Sequence, residues 1–334
     1  MKAKAGILEV ARRAGVSTAS VSRVLSGQTV REATQARVLA AIADLGYQPN
    51  QMAQGLRRGR SATVALLVGD IEQGVYASLT KEIQAALEAV GLELLLYNLG
   101  HSQERLKQFL ARVDSMRLQG VVIAASDMLT DDNIRMLVEK VNHHDLHVLS
   151  VGLSLDQFGI ASINYDDRES VARSVRFLLD TYGWPIAYLG RIEGSASGTQ
   201  RFSGYEQVLA DEGIAIDRRL VWDAAYRYRA GFESTDRALR DGLLFRSIQA
   251  GSDELALGAI AALHSHGKRI PEDVAVVGIG NVEPSAYSHP TLTTHGVYPD
   301  RIAKIIAKRM QGAIGAHAPE TVILERPFIQ RASA

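Results

Sequence analysis

Apolar residues recur at helical spacing through the first sixty positions, then give way to short apolar runs that alternate with helical segments. Ile7, Val10, Ala11 and Ala14 form the apolar stripe of one short helix, and Val21, Val24 and Leu25 that of a second. Ala11, Gly15 and Val21 have the spacing of a helix-turn-helix. Gly15 supplies the positive φ that a chain reversal needs, and Ser17 stands where it caps the second helix. A third helical pattern runs from about Thr34 to Leu45, with Val38, Leu39, Ile42 and Leu45 on one side, and stops at Gly46. The turn Tyr47-Gln48-Pro49-Asn50 leads into a short helical pattern, QMAQGLRR, and Gly59, Arg60 and Ser61 read as a linker.

Beyond the linker the period changes. Apolar strand runs are predicted at 63–68, 92–97, 120–124, 147–151, 186–189, 247–250 and 274–279. Helical patterns fall at 77–90, 103–116, 131–142, 168–182, 201–212, 231–239, 254–266 and 299–312. Repeated βα units imply parallel sheets covered by helices on both faces. So many elements predict two Rossmann-like subdomains, with a ligand in the crevice at the carboxyl ends of the strands.

Composition fits this division. The 334 residues are 46% hydrophobic and 22% charged, with no cysteine, so disulfides and thiolate metal sites are excluded. No apolar run has membrane-spanning length. MKAKAG leads into an amphipathic helix rather than a signal-peptide core, which predicts a cytoplasmic protein without a membrane partner. The zero net charge conceals an asymmetry: residues 1–60 hold ten Lys/Arg against three Asp/Glu, and the remainder 27 against 34. A basic head on an acidic body predicts that the head alone meets a polyanion.

The outer face of the second helix carries Thr18, Ala19, Ser20, Ser22 and Arg23. Small polar groups with one guanidinium enter a major groove without steric conflict, and Arg binds guanine bidentately. An ordinary helical hairpin has the same spacing.

Longer motifs decide between these readings. VARRAGVSTASVSRVL, GYQPNQMAQGLRRGRS and VALLVGD, followed by GSDELALGAIAAL, IPEDVAVVGIGN, HPTLTT and RPFIQRAS, resemble a LacI/GalR-family transcriptional repressor, in the right order over nearly the whole chain. The resemblance implies a helix-turn-helix DNA-binding head at 1–48, a hinge helix and linker at 49–61, and a periplasmic-binding-protein-like body at 62–334. That body dimerises and senses a small molecule. Its first subdomain is expected at about 62–160 plus 293–320, and its second at about 161–292 plus 321–334. The implied partners are a double-stranded DNA operator, a small-molecule effector and a second copy of the chain.

By that resemblance Thr18, Ala19 and Arg23 read bases, while Ser17, Ser20 and Ser22 hold phosphates. The segment Asn50–Arg58 corresponds to the hinge helix: Asn50 and Arg57 join the DNA contacts, and Leu56 wedges into the minor groove. Gly55 departs from a good helix former by roughly 1 kcal/mol relative to Ala. Arg31 replaces a capping serine of the third helix, and Gly6 a capping threonine of the first. In the body, Arg201 matches the arginine that reaches the effector in relatives. Tyr76 and Tyr226 fall at aromatic contacts, and Ser126, Ser197 and Ser252 on crevice loops.

Gly280 replaces the acidic residue that binds effector hydroxyls in many relatives. A site without that carboxylate tolerates an anion, and Arg191, Arg227 and Arg229 on nearby loops reinforce the expectation of an anionic metabolite such as a phosphosugar or organic acid. His143, His144 and His147 lack a metal-ligand pattern. Gly278 and Gly280 have no third glycine opening a helix, and no nucleophile elbow or Walker sequence appears. No cofactor or catalytic residue is therefore expected, which disfavours an α/β enzyme. The basic head disfavours a solute receptor.

Overall fold

A computed structural model describes residues 6–25, 29–47, 61–125, 129–144, 146–311 and 320–334. It divides into two compact units, residues 1–62 and 63–334. The expected contacts Asn50, Leu56 and Arg57 of the hinge, with Gly55, and Ser126 of the body lie outside the described residues.

The smaller unit holds three helices, α1 (Ile7–Ala14), α2 (Thr18–Leu25) and α3 (Glu32–Leu45). Their core is six buried aliphatic side chains: Val10, Ala11, Ala14, Val21, Val38 and Ala41. Gly15 ends α1 at φ +64, and the Gly15 and Val16 amides close back onto Arg12 and Ala11 carbonyls at 3.3 and 3.0 Å. This left-handed stop satisfies orphan carbonyls and reverses the chain within three residues. Gly6 and Arg31 stand at the N-caps of α1 and α3 without a side-chain cap bond.

The larger unit contains two six-stranded sheets. The first is built from β1 (Thr63–Val68), β2 (Glu93–Asn98), β3 (Gly120–Ala124), β4 (His147–Val151), β5 (Ala161–Tyr165) and β11 (Thr321–Leu324). Its order is β11-β5-β4-β3-β1-β2, and every pairing is parallel. Central β1 sets the register, Leu66 facing Leu96 on one side and Val122 on the other. The helices α4 (Gly74–Glu88), α5 (Gln103–Met116) and α6 (Asp131–His144) connect these strands.

The second sheet comprises β6 (Ile186–Gly190), β7 (Val221–Asp223), β8 (Ser247–Ala250), β9 (Ala275–Ile279), β10 (Thr293–His295) and β12 (Phe328–Ile329). Its order, β12-β10-β9-β8-β6-β7, repeats the winding of the first, with one antiparallel pair at β10–β12. Helices α7 (Asp167–Tyr182), α8 (Ala196–Asp211), α9 (Tyr228–Arg240), α10 (Asp253–Ser265) and short α11 (Glu283–Tyr287) belong here. Helix α12 (Pro299–Met310) returns to pack on α4 of the first lobe. Each lobe has its own apolar core, one around Phe109 and Ile123, the others around Leu255 and Tyr205.

The chain crosses between lobes three times, after β5, after β10 and after β11. These crossings correct the expected boundaries: β5 and β11 lie in the first sheet rather than the second, and β10 in the second rather than the first. The cause is physical. These strands have three to five residues, too few and too polar (ASINY, TTH) to carry a period-two signal.

Candidate functional site

Two surfaces carry the expected chemistry. In the head, Ser17 Oγ accepts the Ser20 amide at 3.2 Å and lies 3.0 Å from Ser20 Oγ, so the hydroxyls cluster where the dipole of α2 is positive. Residues 18, 19, 22 and 23 share one face, while Val21, Val24 and Leu25 share the opposite face toward the core. Ala19 and Arg23 are exposed, and Thr18, Ser20 and Ser22 half-exposed. The face is narrow, shallow in relief and positively charged at its far end.

In the body, a cavity of about 110 Å³ lies between the two lobes. The carboxyl ends of β3, β4 and β5 reach it from the first lobe and α8 from the second. Its walls include apolar Val75, Leu79, Val151 and Ile302, and the rings of Tyr76 and Tyr165. Ser197 and Arg201 of α8, one turn apart, also line it, with Asp167 and Arg326.

Arg201 is buried. Its Nε donates to Asp167 Oδ1 at 2.9 Å, one terminal nitrogen donates to the Gly251 carbonyl at 2.6 Å, and the guanidinium lies 5.6 Å from the centre of the Tyr226 ring. Asp167 Oδ1 accepts a second guanidinium, Arg326 Nε, also at 2.9 Å. Arg326 is 5% exposed and stacks 3.8 Å above Tyr165. Burial opposes ionisation of Asp167, but the two arginines outweigh it and hold its carboxyl below the usual range. Two cations and one anion leave this wall with a charge of +1.

A second cavity of about 390 Å³ adjoins the Tyr226 ring, lined also by Gln73, His101, Arg191, Glu193, Asp223 and Arg227. Arg227 pairs across the crevice with Asp70. Nearby, the Gly74 amide donates to Glu254 Oε1 at 3.1 Å, a second bridge between the lobes. Arg229 is turned outward and pairs with Glu233 at 2.7 Å.

Tyr76, Ser197 and Arg201 thus meet at the first cavity and Tyr226 at the second, whereas Ser252 and Gly280 line neither. Ser252 caps α10, its Oγ accepting the Leu255 amide at 3.3 Å. Gly280 has φ +139, and a Cβ there would lie 3.6 Å from Asp253 Oδ2. Asp253 is fully buried, accepts the Val282 amide and the Thr294 hydroxyl at 2.9 and 2.5 Å, and is pushed by burial up to about 7. A side chain at position 280 would be strained, and a carboxylate there would crowd the buried Asp253 carboxyl. Tyr165, Asp167 and Arg326 were not expected at the site; the only sequence hint of them is paired acids at a helix start and a lone basic residue before Pro327.

No group of three or more His, Cys, Asp and Glu side chains suits a metal among the described residues, and none of their helices is long and apolar enough to cross a membrane.

Comparison with known proteins covers both units. Residues 6–50 match the model for bacterial regulatory proteins of the lacI family, and residues 185–334 a periplasmic binding protein-like domain. The HTH-type transcriptional regulator AscG of Escherichia coli is 30% identical over 86% of this chain and 85% of its own. Catabolite control protein A of Priestia megaterium is 27% identical over 86% of both chains. Among solved structures, a lac repressor dimer bound to operator and an anti-inducer superposes with TM-score 0.86 over 99% of both chains, at 23% identity. A complex of the regulator CelR with cellobiose superposes with TM-score 0.71 over 99% of this chain and 100% of that one, at 25% identity.

Proposed function

Because the chain belongs to the LacI family of DNA-binding transcriptional regulators, we propose that it acts in the cytoplasm as a homodimeric repressor of metabolic genes whose hold on an operator is set by an anionic metabolite. The observation that carries the choice of ligand is the buried +1 charge of Arg201, Asp167 and Arg326 on the cavity wall. A buried charge calls for a partner, and a phosphate or carboxylate supplies one with geometry suited to guanidinium. The inward-turned Asp253 beside Gly280 leaves the crevice without the acidic hydroxyl-binder that the resemblance leads one to expect. Effector binding changes the angle between the lobes and thereby the relative affinity of two states, so induction and co-repression are both allowed.

On DNA, Arg23 reads a base edge with Thr18 and Ala19 beside it, while Ser17, Ser20 and Ser22 position the helix on phosphates. Of the hinge residues, Leu56 wedges into the minor groove, Arg57 holds a phosphate and Asn50 joins the DNA contacts. Arg23→Ala then costs about 1–3 kcal/mol on the selected operator and far less on random duplex. Equal losses on both duplexes, measured by fluorescence anisotropy, reduce Arg23 to a phosphate contact.

The ligand reading is tested by calorimetry and thermal shift with phosphosugars, organic acids, neutral sugars and nucleosides. It predicts a tight ligand among the anions. Tight binding of a neutral sugar with none of any anion would falsify it.

A further inference from the structure

The wall of the first cavity contains one more ligand-facing cation than the sequence singled out. Arg326 lies in the third connection between the lobes, between β11 and β12, whereas Arg201 projects from α8 of the second lobe. Both line the same cavity, both are nine-tenths buried or more, and both spend their Nε on one oxygen of Asp167 at 2.9 Å. Arg201 spends a further nitrogen on the Gly251 carbonyl, while Arg326 is steadied by the Tyr165 ring. Stacking holds a guanidinium flat and keeps its edge available for in-plane hydrogen bonds.

We infer that Arg326 is a second anion-binding residue of the effector site, and that with Arg201 it forms a two-guanidinium clamp specific for a phosphate or carboxylate. Asp167 is the positioning residue, fixing both guanidiniums through their Nε atoms. The clamp draws one arm from the second lobe and the other from an inter-lobe connection, so a bound anion touches the connection directly. This inference rests on the anionic reading above and extends it to a residue outside the expected set.

The experiment uses the full chain and inorganic phosphate as the probe, at constant ionic strength against chloride. Binding is read from the phosphate dependence of the melting temperature and from ³¹P line broadening. Arg326→Gln keeps a donor for Asp167 and leaves the wall neutral; Arg326→Lys keeps the charge and loses the fork. We expect phosphate affinity to fall at least tenfold in Arg326→Gln and by a few-fold only in Arg326→Lys. Parental affinity in Arg326→Gln overturns the inference and leaves the anionic reading standing. Equal tenfold losses in Gln and Lys variants assign the residue a packing role and also overturn it. Citrate is the carboxylate probe under the same conditions, and if the parent protein binds neither phosphate nor citrate, the inference and the anionic reading fall together.

Discussion

The head and the crevice are held together by opposite means. The head relies on local chain reversal and six small aliphatic side chains, with its polar residues spent on caps or left on the surface. The crevice is held by buried charge, its central pair joining residues 159 positions apart. A core of valines and alanines is limited by its area, roughly 1.5–3 kcal/mol for each buried valine. A buried ion cluster is limited by balance, since removing one member strands the others. The head therefore loses stability in small steps, and the crevice by charge imbalance.

The largest expected effect separates the two units. Val38→Asp places a charge at a fully buried head position, at a cost that exceeds what so small a core withstands. DNA binding should vanish while the melting of the body, followed by calorimetry, stays where it was. A body transition that moves in step would show that the units are not independent. Next in size, Asp167→Asn leaves two buried guanidiniums without their carboxylate and should destabilise the body by about 3–5 kcal/mol. A denaturant midpoint unchanged by that substitution would contradict the account of the crevice.

Third is His295 of β10, fully buried against Phe328 at 5.0 Å. Burial, with Arg326 nearby, lowers its pKa from 6.5 to about 4. Between those values the unfolded chain takes up the proton and the folded chain does not. Stability is thus complete above pH 6.5 and declines as the pH falls toward 4, by roughly 2–4 kcal/mol. His295→Leu should flatten that part of the pH profile; an unchanged slope would assign the acid sensitivity elsewhere. Smallest is Arg31→Ser, which supplies the missing cap of α3 and should stabilise the head by about 0.5–2 kcal/mol. No gain in head stability would show that the position is already satisfied by other means.

The same contrast explains what was readable in the chain. Helices α1 and α2 and the turn between them lie within nineteen consecutive residues, where periodicity and one glycine suffice. The long βα units were legible for the same reason. The three crossings were not, because β5, β10 and β11 are too short to announce themselves, and with them went the position of Asp167 and Arg326. Arg201 was found through resemblance, but its partners occupy positions that no local pattern joins. Arg227 and Arg229 show the converse: two positions apart in sequence, one bridges the lobes through Asp70 and the other faces outward toward Glu233.

Gly280, although it lines neither cavity, constrains how an acid could be brought to the crevice. Placing an acid there by one substitution would combine an unfavourable backbone angle with crowding against the buried Asp253 carboxyl. A lineage moving toward a neutral ligand would have to change position 253 or reshape the β9 loop first, and Asp253 currently anchors that loop through the Val282 amide and Thr294. Each first step loses stability before the second restores it. The route between ligand preferences crosses a valley of fitness, so this pocket's descendants should vary their arginines more readily than they regain an acid at 280.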